Sequence, residues 1–395
     1  MSDTAPGLPR GLVPVLSAAN FVVGMGAFVI VGMLGPLSRD LAMTPSQAGW
    51  VLTSYAIAYA LLSPILVSGT GRFGRRRVMA IGMTVFGLGA VASALAPTPG
   101  WLFAARVLAA AGAGMTTPVG AAVAAGLAPP QDRGKVLAQV FLGLTLAGVF
   151  GVPAGTWVAY TYGWRAAFGI VAVLAGVSAA VLWVRVPAGL SFQPVRLSDL
   201  GSVLRNGRLM LAIGFTAMFL GAIYVPFTYL APLLEARMGL GRDGVTAALV
   251  VCGLGAVTGN LAFGWLSDRL GPFRTLVALA CGQVAIMPLL SLLPFPLGLA
   301  MALFFVWNAV GFGFNAAQQL RLVTMAGVQA PVALALNAAC IYVGAAVGSV
   351  IGGQVVATAG LGALGLAGGG TALIAVGAII LSNRLSPVDS GPSRP

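Results

Sequence analysis

The chain has 395 residues, 59% of them hydrophobic and only 7% charged, with a mean hydropathy of +0.99. A soluble domain carries roughly 25% charged residues, so a water-dispersed globular fold is excluded. The formal net charge of +13 would point to nucleic acid in a soluble chain, but here the basic residues fall in short connections between apolar blocks, where membrane topology accounts for them. Histidine is absent, which removes the commonest metal ligand and the usual proton shuttle. Cys252, Cys281 and Cys340 lie inside apolar segments at no metal-like spacing and imply no disulfide framework.

The opening "MSDTAPGLPRGLVPVLSAANFVVGMGAFVIVGML" resembles a secretory leader only superficially. Its apolar run is too long and no clean cleavage site follows, so it is expected to stay as a first helix. Apolar blocks of about twenty residues, the length that crosses a bilayer as a helix, then recur along the chain. Breaking at polar, Pro-rich or charged connections predicts twelve spans: 12–35, 47–67, 77–96, 100–126, 136–158, 164–184, 208–231, 244–266, 274–293, 297–320, 331–358 and 362–382. With the N-terminus cytoplasmic, sixteen Lys and Arg residues fall inside and four (Arg39, Arg165, Arg237 and Arg242) outside, while Arg106 falls within a span. Missing or inventing one helix would scramble that bias.

Two charged stretches each follow the second span of a half: "VSGTGRFGRRR" (67–77) and "GWLSDRLGPFR" (264–274). Gly74 and Gly271 are 197 positions apart (271 − 74), close to half the chain. Two six-helix repeats account for this spacing. The expected organisation is an N-terminal six-helix bundle over 1–184, a cytoplasmic linker over 185–207, and a C-terminal bundle over 208–395.

Within the spans, small residues mark close helix contacts. Gly344, Gly348 and Gly352 repeat every fourth residue, and Gly148, Gly151 and Gly155 surround Pro153. Both sets read as packing surfaces or hinges. Neutral polar side chains outline a cavity: Tyr55 and Tyr59 one turn apart, Tyr224 and Thr228 beside Pro226, and Asn308, Asn315 and Gln319 on one predicted stripe. Asn20, Gln139, Asn260 and Asn337 add isolated amides, each of which could equally bond a neighbouring helix. Such a lining suits uncharged or weakly anionic organic molecules. Arg106 either snorkels to the outer surface or faces the cavity.

These stretches together resemble the major facilitator superfamily of two-lobed secondary transporters. Its loop motif G-x-x-x-D-R-x-G-R-R is matched by Gly264, Asp268, Arg269 and Gly271, and less fully by Arg72, Gly74, Arg75, Arg76 and Arg77, where Gly71 and Val67 replace the Asp and leading Gly. "RVLAAAGAGM" (106–115), "GVFGVPAGTWVAYTYGWRAAF" (148–168) and "NAAQQLRLVTMAGVQAPVALALNAACIYVGAAVGSVIGG" (315–353) are similar to the fourth, fifth and sixth, and tenth and eleventh helices of its twelve-helix drug and arabinose-efflux-like antiporter subfamily.

The resemblance implies an all-α fold of two six-helix bundles around a central cavity. It also implies a gating role for Arg72, Gly74, Arg75, Asp268, Arg269 and Gly271, and a cavity-facing Arg106. One departure stands out. Relatives often carry an acid in helix one where this chain has Ala27, and all eight acidic residues here fall in tails, loops or helix ends. The expected function is secondary active export of small organic molecules by alternating access. The alternatives are an uncoupled facilitator or uptake carrier, or a membrane sensor that transports nothing. The partners expected are a small-molecule substrate, the lipid bilayer and, if coupling exists, protons. No enzyme activity, cofactor, metal or nucleic acid is expected. The single Lys with abundant Arg, Gly and Ala suggests a GC-rich bacterial source. The expected protein is therefore a monomer of the bacterial inner membrane with both termini cytoplasmic.

Overall fold

Long apolar runs can satisfy their backbone N–H and C=O groups within a bilayer only as helices or closed barrels, and the period here is helical. The computed structural model describes residues 9, 11–70, 73–129, 132–190, 201 and 203–385, all of its regular elements being helices. The first span is broken into α1 (Leu12–Phe28) and α2 (Ile30–Asp40), bent by 40° at Val29. Then follow α3 (Pro45–Gly69), α4 (Arg75–Ala94), α5 (Pro99–Leu127), α6 (Arg133–Leu146), α7 (Val152–Tyr162) and α8 (Trp164–Arg185). The second half contains α9 (Gly207–Phe227), α10 (Leu230–Met238), α11 (Arg242–Leu270), α12 (Pro272–Ile286), α13 (Leu297–Phe312), α14 (Phe314–Ala326), α15 (Ala330–Ala359) and α16 (Leu364–Leu385). Among the described residues, eleven helical segments are long and apolar enough to cross a membrane, and the bent α1–α2 pair makes a twelfth. The protein is a multi-pass membrane protein of twelve spans in two six-helix bundles.

The chain divides into two compact units, 1–41 with 54–194 and 42–53 with 195–395. The repeat spacing predicts the whole second span in the first bundle. Residues 42–53 instead pack within the second unit, where Ser349 Oγ donates to the Gly49 carbonyl at 3.1 Å and the Tyr229 hydroxyl to the Ser349 carbonyl at 2.8 Å.

Proline explains two of the interruptions. Pro153 has no N–H to give the Val149 carbonyl, and the preceding turn, Ala147–Gly151, widens into a π turn before α7 resumes. Pro226 likewise weakens the end of α9, where the Thr228 hydroxyl bonds back to the Tyr224 carbonyl at 2.8 Å.

Small residues explain the tightest contacts. A Cβ placed on Gly344 would stand 2.7 Å from the Ala217 carbonyl oxygen, and Cβ atoms on Gly348 and Gly352 would strike the Gly221 and Val225 carbonyls. Helix α15 thus lies directly on the α9 backbone. In the first unit, Gly151 faces Met25, Gly155 faces Val29, and Gly143 lies against the Ser17 carbonyl. Gly148 has nothing within 4 Å of a built Cβ and takes no part in this contact. Its place in the predicted set is corrected to Gly143, because the contact face of α6 and the π turn falls every fourth residue from 143.

Candidate functional site

Helix α5 starts at Pro99, a residue pre-shaped for a first helical turn, with Thr98 Oγ1 accepting from the Trp101 N–H. That start places Arg106 inside the first unit, where it is 1% exposed. It does not snorkel outward. Its Nη1 donates to the Gly26 carbonyl at 2.8 Å and its Nη2 to the Ala27 carbonyl at 3.1 Å. These carbonyls belong to the last turn of α1, just before the break, so the cation sits at the negative end of that helix. Its guanidinium carbon lies 4.4 Å from the Tyr55 ring centroid and 5.4 Å from that of Phe168. A guanidinium over aromatic faces is held electrostatically as well as by hydrogen bonds. Tyr59 follows one turn below Tyr55, with ring centroids 6.4 Å apart. The backbone oxygen of Ala27, rather than a carboxylate, supplies one of these acceptors.

Of the other first-unit candidates, Asn20 is buried and donates to the Val140 carbonyl at 3.0 Å, tying α1 to α6. Gln139 is exposed at the chain surface. Asp40 is engaged by both Arg165 and Trp164, the latter at 3.0 Å, and Arg165 also reaches the Ala96 carbonyl.

The second unit holds two polar networks. Gln318 Nε2 donates to the Ala212 carbonyl at 2.8 Å and to Thr216 Oγ1 at 3.0 Å, while Thr216 donates to Asn337 Oδ1. All three side chains are buried. Gln283 accepts from Trp307 Nε1 at 3.1 Å and donates to the Trp307 carbonyl. The Phe227 ring meets those of Tyr224, Trp307 and Phe312 edge-on at 5.6 to 6.0 Å.

The predicted stripe of Asn308, Asn315 and Gln319 is not one face. Helix α13 ends at Phe312 and α14 begins at Phe314, and the interruption at Gly313 breaks the spacing. Asn308 is buried on the Phe304 carbonyl, Asn315 is half-buried, and Gln319 is exposed while its neighbour Gln318 is the buried amide. Asn260 is half-buried. Sequence spacing missed Thr216, Gln283 and Gln318; Gln318 would have emerged only by restarting the helical count at Gly313.

Among the loop-motif residues, Arg72 lies outside the described residues. Arg75 opens α4 and is buried, its N–H donating to the Leu190 carbonyl at 3.2 Å. Gly74 has ordinary backbone angles, whereas Gly271 has φ 82°, which a side chain would strain. Asp268 is exposed in the last turn of α11, and Arg269 stacks 3.8 Å from the Trp265 ring centroid.

A family profile described as Major Facilitator Superfamily matches residues 16–330. The chain is 30% identical over 349 residues to the inner membrane transport protein YdhP of Escherichia coli (strain K12), covering 88% of this chain and 89% of that protein. It is 31% identical over 341 residues to a chloramphenicol resistance protein of Streptomyces lividans, covering 82% and 86%. Among solved structures, it resembles a bacterial homologue of the human lysosomal transporter Spinster with a TM-score of 0.74 and 17% identity, covering 94% of this chain and 96% of that one.

Proposed function

The chain belongs to the major facilitator superfamily, and on that premise we propose that it is a secondary active exporter of small organic molecules working by alternating access. The observation that carries this reading is Arg106, a buried cation held between Tyr55 and the carbonyls at the end of α1. An ionisable group inside a membrane span is costly, and its usual role is to contact substrate or coupling ion. The chloramphenicol resistance relative supports export over import. Asp268 and its neighbours act as a gate at the charged end of α11, so Asp268→Asn is expected to slow transport while leaving substrate binding in place.

The deciding experiment is flux in proteoliposomes under an imposed pH gradient, with chloramphenicol as first probe and a panel of neutral and weakly anionic compounds beside it. Uphill accumulation supports active export, whereas equilibration with no dependence on the gradient supports a facilitator. That second reading is favoured by one observation, the placement of all eight acidic residues in tails, loops or helix ends. The site is expected to serve in the bacterial inner membrane.

A further inference from the structure

Arg321 lies within α14 and is fully buried. Its Nη2 donates to Ser382 Oγ on α16 at 2.9 Å. Its Nε and Nη1, which carry three of the five guanidinium N–H groups, have no acceptor among the described residues. A guanidinium taken out of water in this way is strongly destabilising unless something compensates its charge.

Other polar groups on helices of the second unit are left unfinished in the same way. The Ser267 hydroxyl on α11 and Asn383 Oδ1 on α16 are also buried atoms without a partner. Helix α11 packs against α13 and α14. Gly255 lies against Phe305, Gly259 against Ala309 and Gly264 against Ala316, offsets of 50, 50 and 52 residues. Ser267 follows Gly264 by about one turn of α11. Ser382 and Ser267 lie in the last turn of their helices and Arg321 in the last two turns of α14, towards the end of the second unit that carries Asp268, Arg269 and Arg274.

We propose that Arg321 anchors an anion-binding site at this end of the second unit, one that takes a phosphate or carboxylate group, with the Ser267 hydroxyl as a further donor. The guanidinium supplies charge and directed N–H groups, and the bound oxygens supply the acceptors the protein leaves out. Lys could replace the charge but not the planar fork. Free anions and the phosphodiester of an anionic lipid share this chemistry.

The test uses the full-length protein purified in detergent without other oxyanions. Thermal unfolding is followed while titrating inorganic phosphate, acetate or, separately, phosphatidylglycerol against phosphatidylcholine. A saturable rise in Tm that Arg321→Gln abolishes is expected. Response to phosphate or acetate identifies a soluble anion, and response to phosphatidylglycerol alone identifies a lipid headgroup. Ser267→Ala and Arg321→Lys are each expected to raise the half-saturating concentration about tenfold, the effect of one lost charge-assisted hydrogen bond. If Arg321→Gln does not fold, the Lys variant decides. Absence of any response in the unsubstituted protein overturns the proposal, as does a response unchanged by these substitutions. Loss of stability in Asp268→Asn without any anion response would show that a carboxylate of the chain compensates the charge, and would overturn it too.

Discussion

Arg106 and Gln318 show what a single side chain does here and how far its role can be read in advance. Arg106→Gln is expected to lower transport at least tenfold, since it removes two hydrogen bonds and the charge over Tyr55. Arg106→Lys should be nearly as damaging, because an ammonium cannot fork to two carbonyls in fixed geometry. Flux measured on protein that still elutes as a single species separates this from misfolding. Gln318→Leu is expected to cost about 1–3 kcal/mol by leaving Thr216 and Asn337 short of a partner. Gln319→Leu, at the exposed neighbour, should stay within about 0.5 kcal/mol in the same thermal assay. Arg106 was legible because a lone charge in an apolar run has few explanations. Gln318 was not, because two adjacent glutamines are told apart only by helix phase, and phase is lost across Gly313.

The helices themselves were almost fully legible. Their apolar runs are bounded by charge, Pro and Gly, and the predicted ends mostly lie within a few residues of the observed ones; the seventh and tenth spans continue further through α10 and α14. The breaks inside spans were less so. Pro153 signals its π turn, but nothing in "GMGAFVIVG" marks Val29 as a bend, where the carbonyls just before it meet Arg106 some eighty residues away. Close helix contacts follow a similar logic. Gly348→Leu is expected to drive α15 off the α9 backbone and destabilise the protein by about 1–3 kcal/mol or more. Gly148→Ala, which meets nothing, should be neutral or slightly stabilising through better helix propensity. Unfolding temperatures of the two variants in one detergent check this directly.

At the scale of the molecule, the charge asymmetry predicts orientation. A phosphatase fused after Pro395 is expected to be inactive and a fluorescent protein fused there bright, both signs of a cytoplasmic C-terminus. The reverse pattern would invert the assignment of every loop. The cargo stays illegible in sequence, because neutral amides and aromatic rings accept many molecules and their spacing fixes no one shape.

The bend at Val29 has a consequence of its own. In an unbroken helix the Gly26 and Ala27 carbonyls would accept from the Ile30 and Val31 N–H groups. Here they face Arg106. The guanidinium thus supplies the donors that the broken backbone withholds from these oxygens. Arg106→Ala is therefore expected to straighten the first span, a change read as a longer distance between spin labels placed near the ends of α1 and α2.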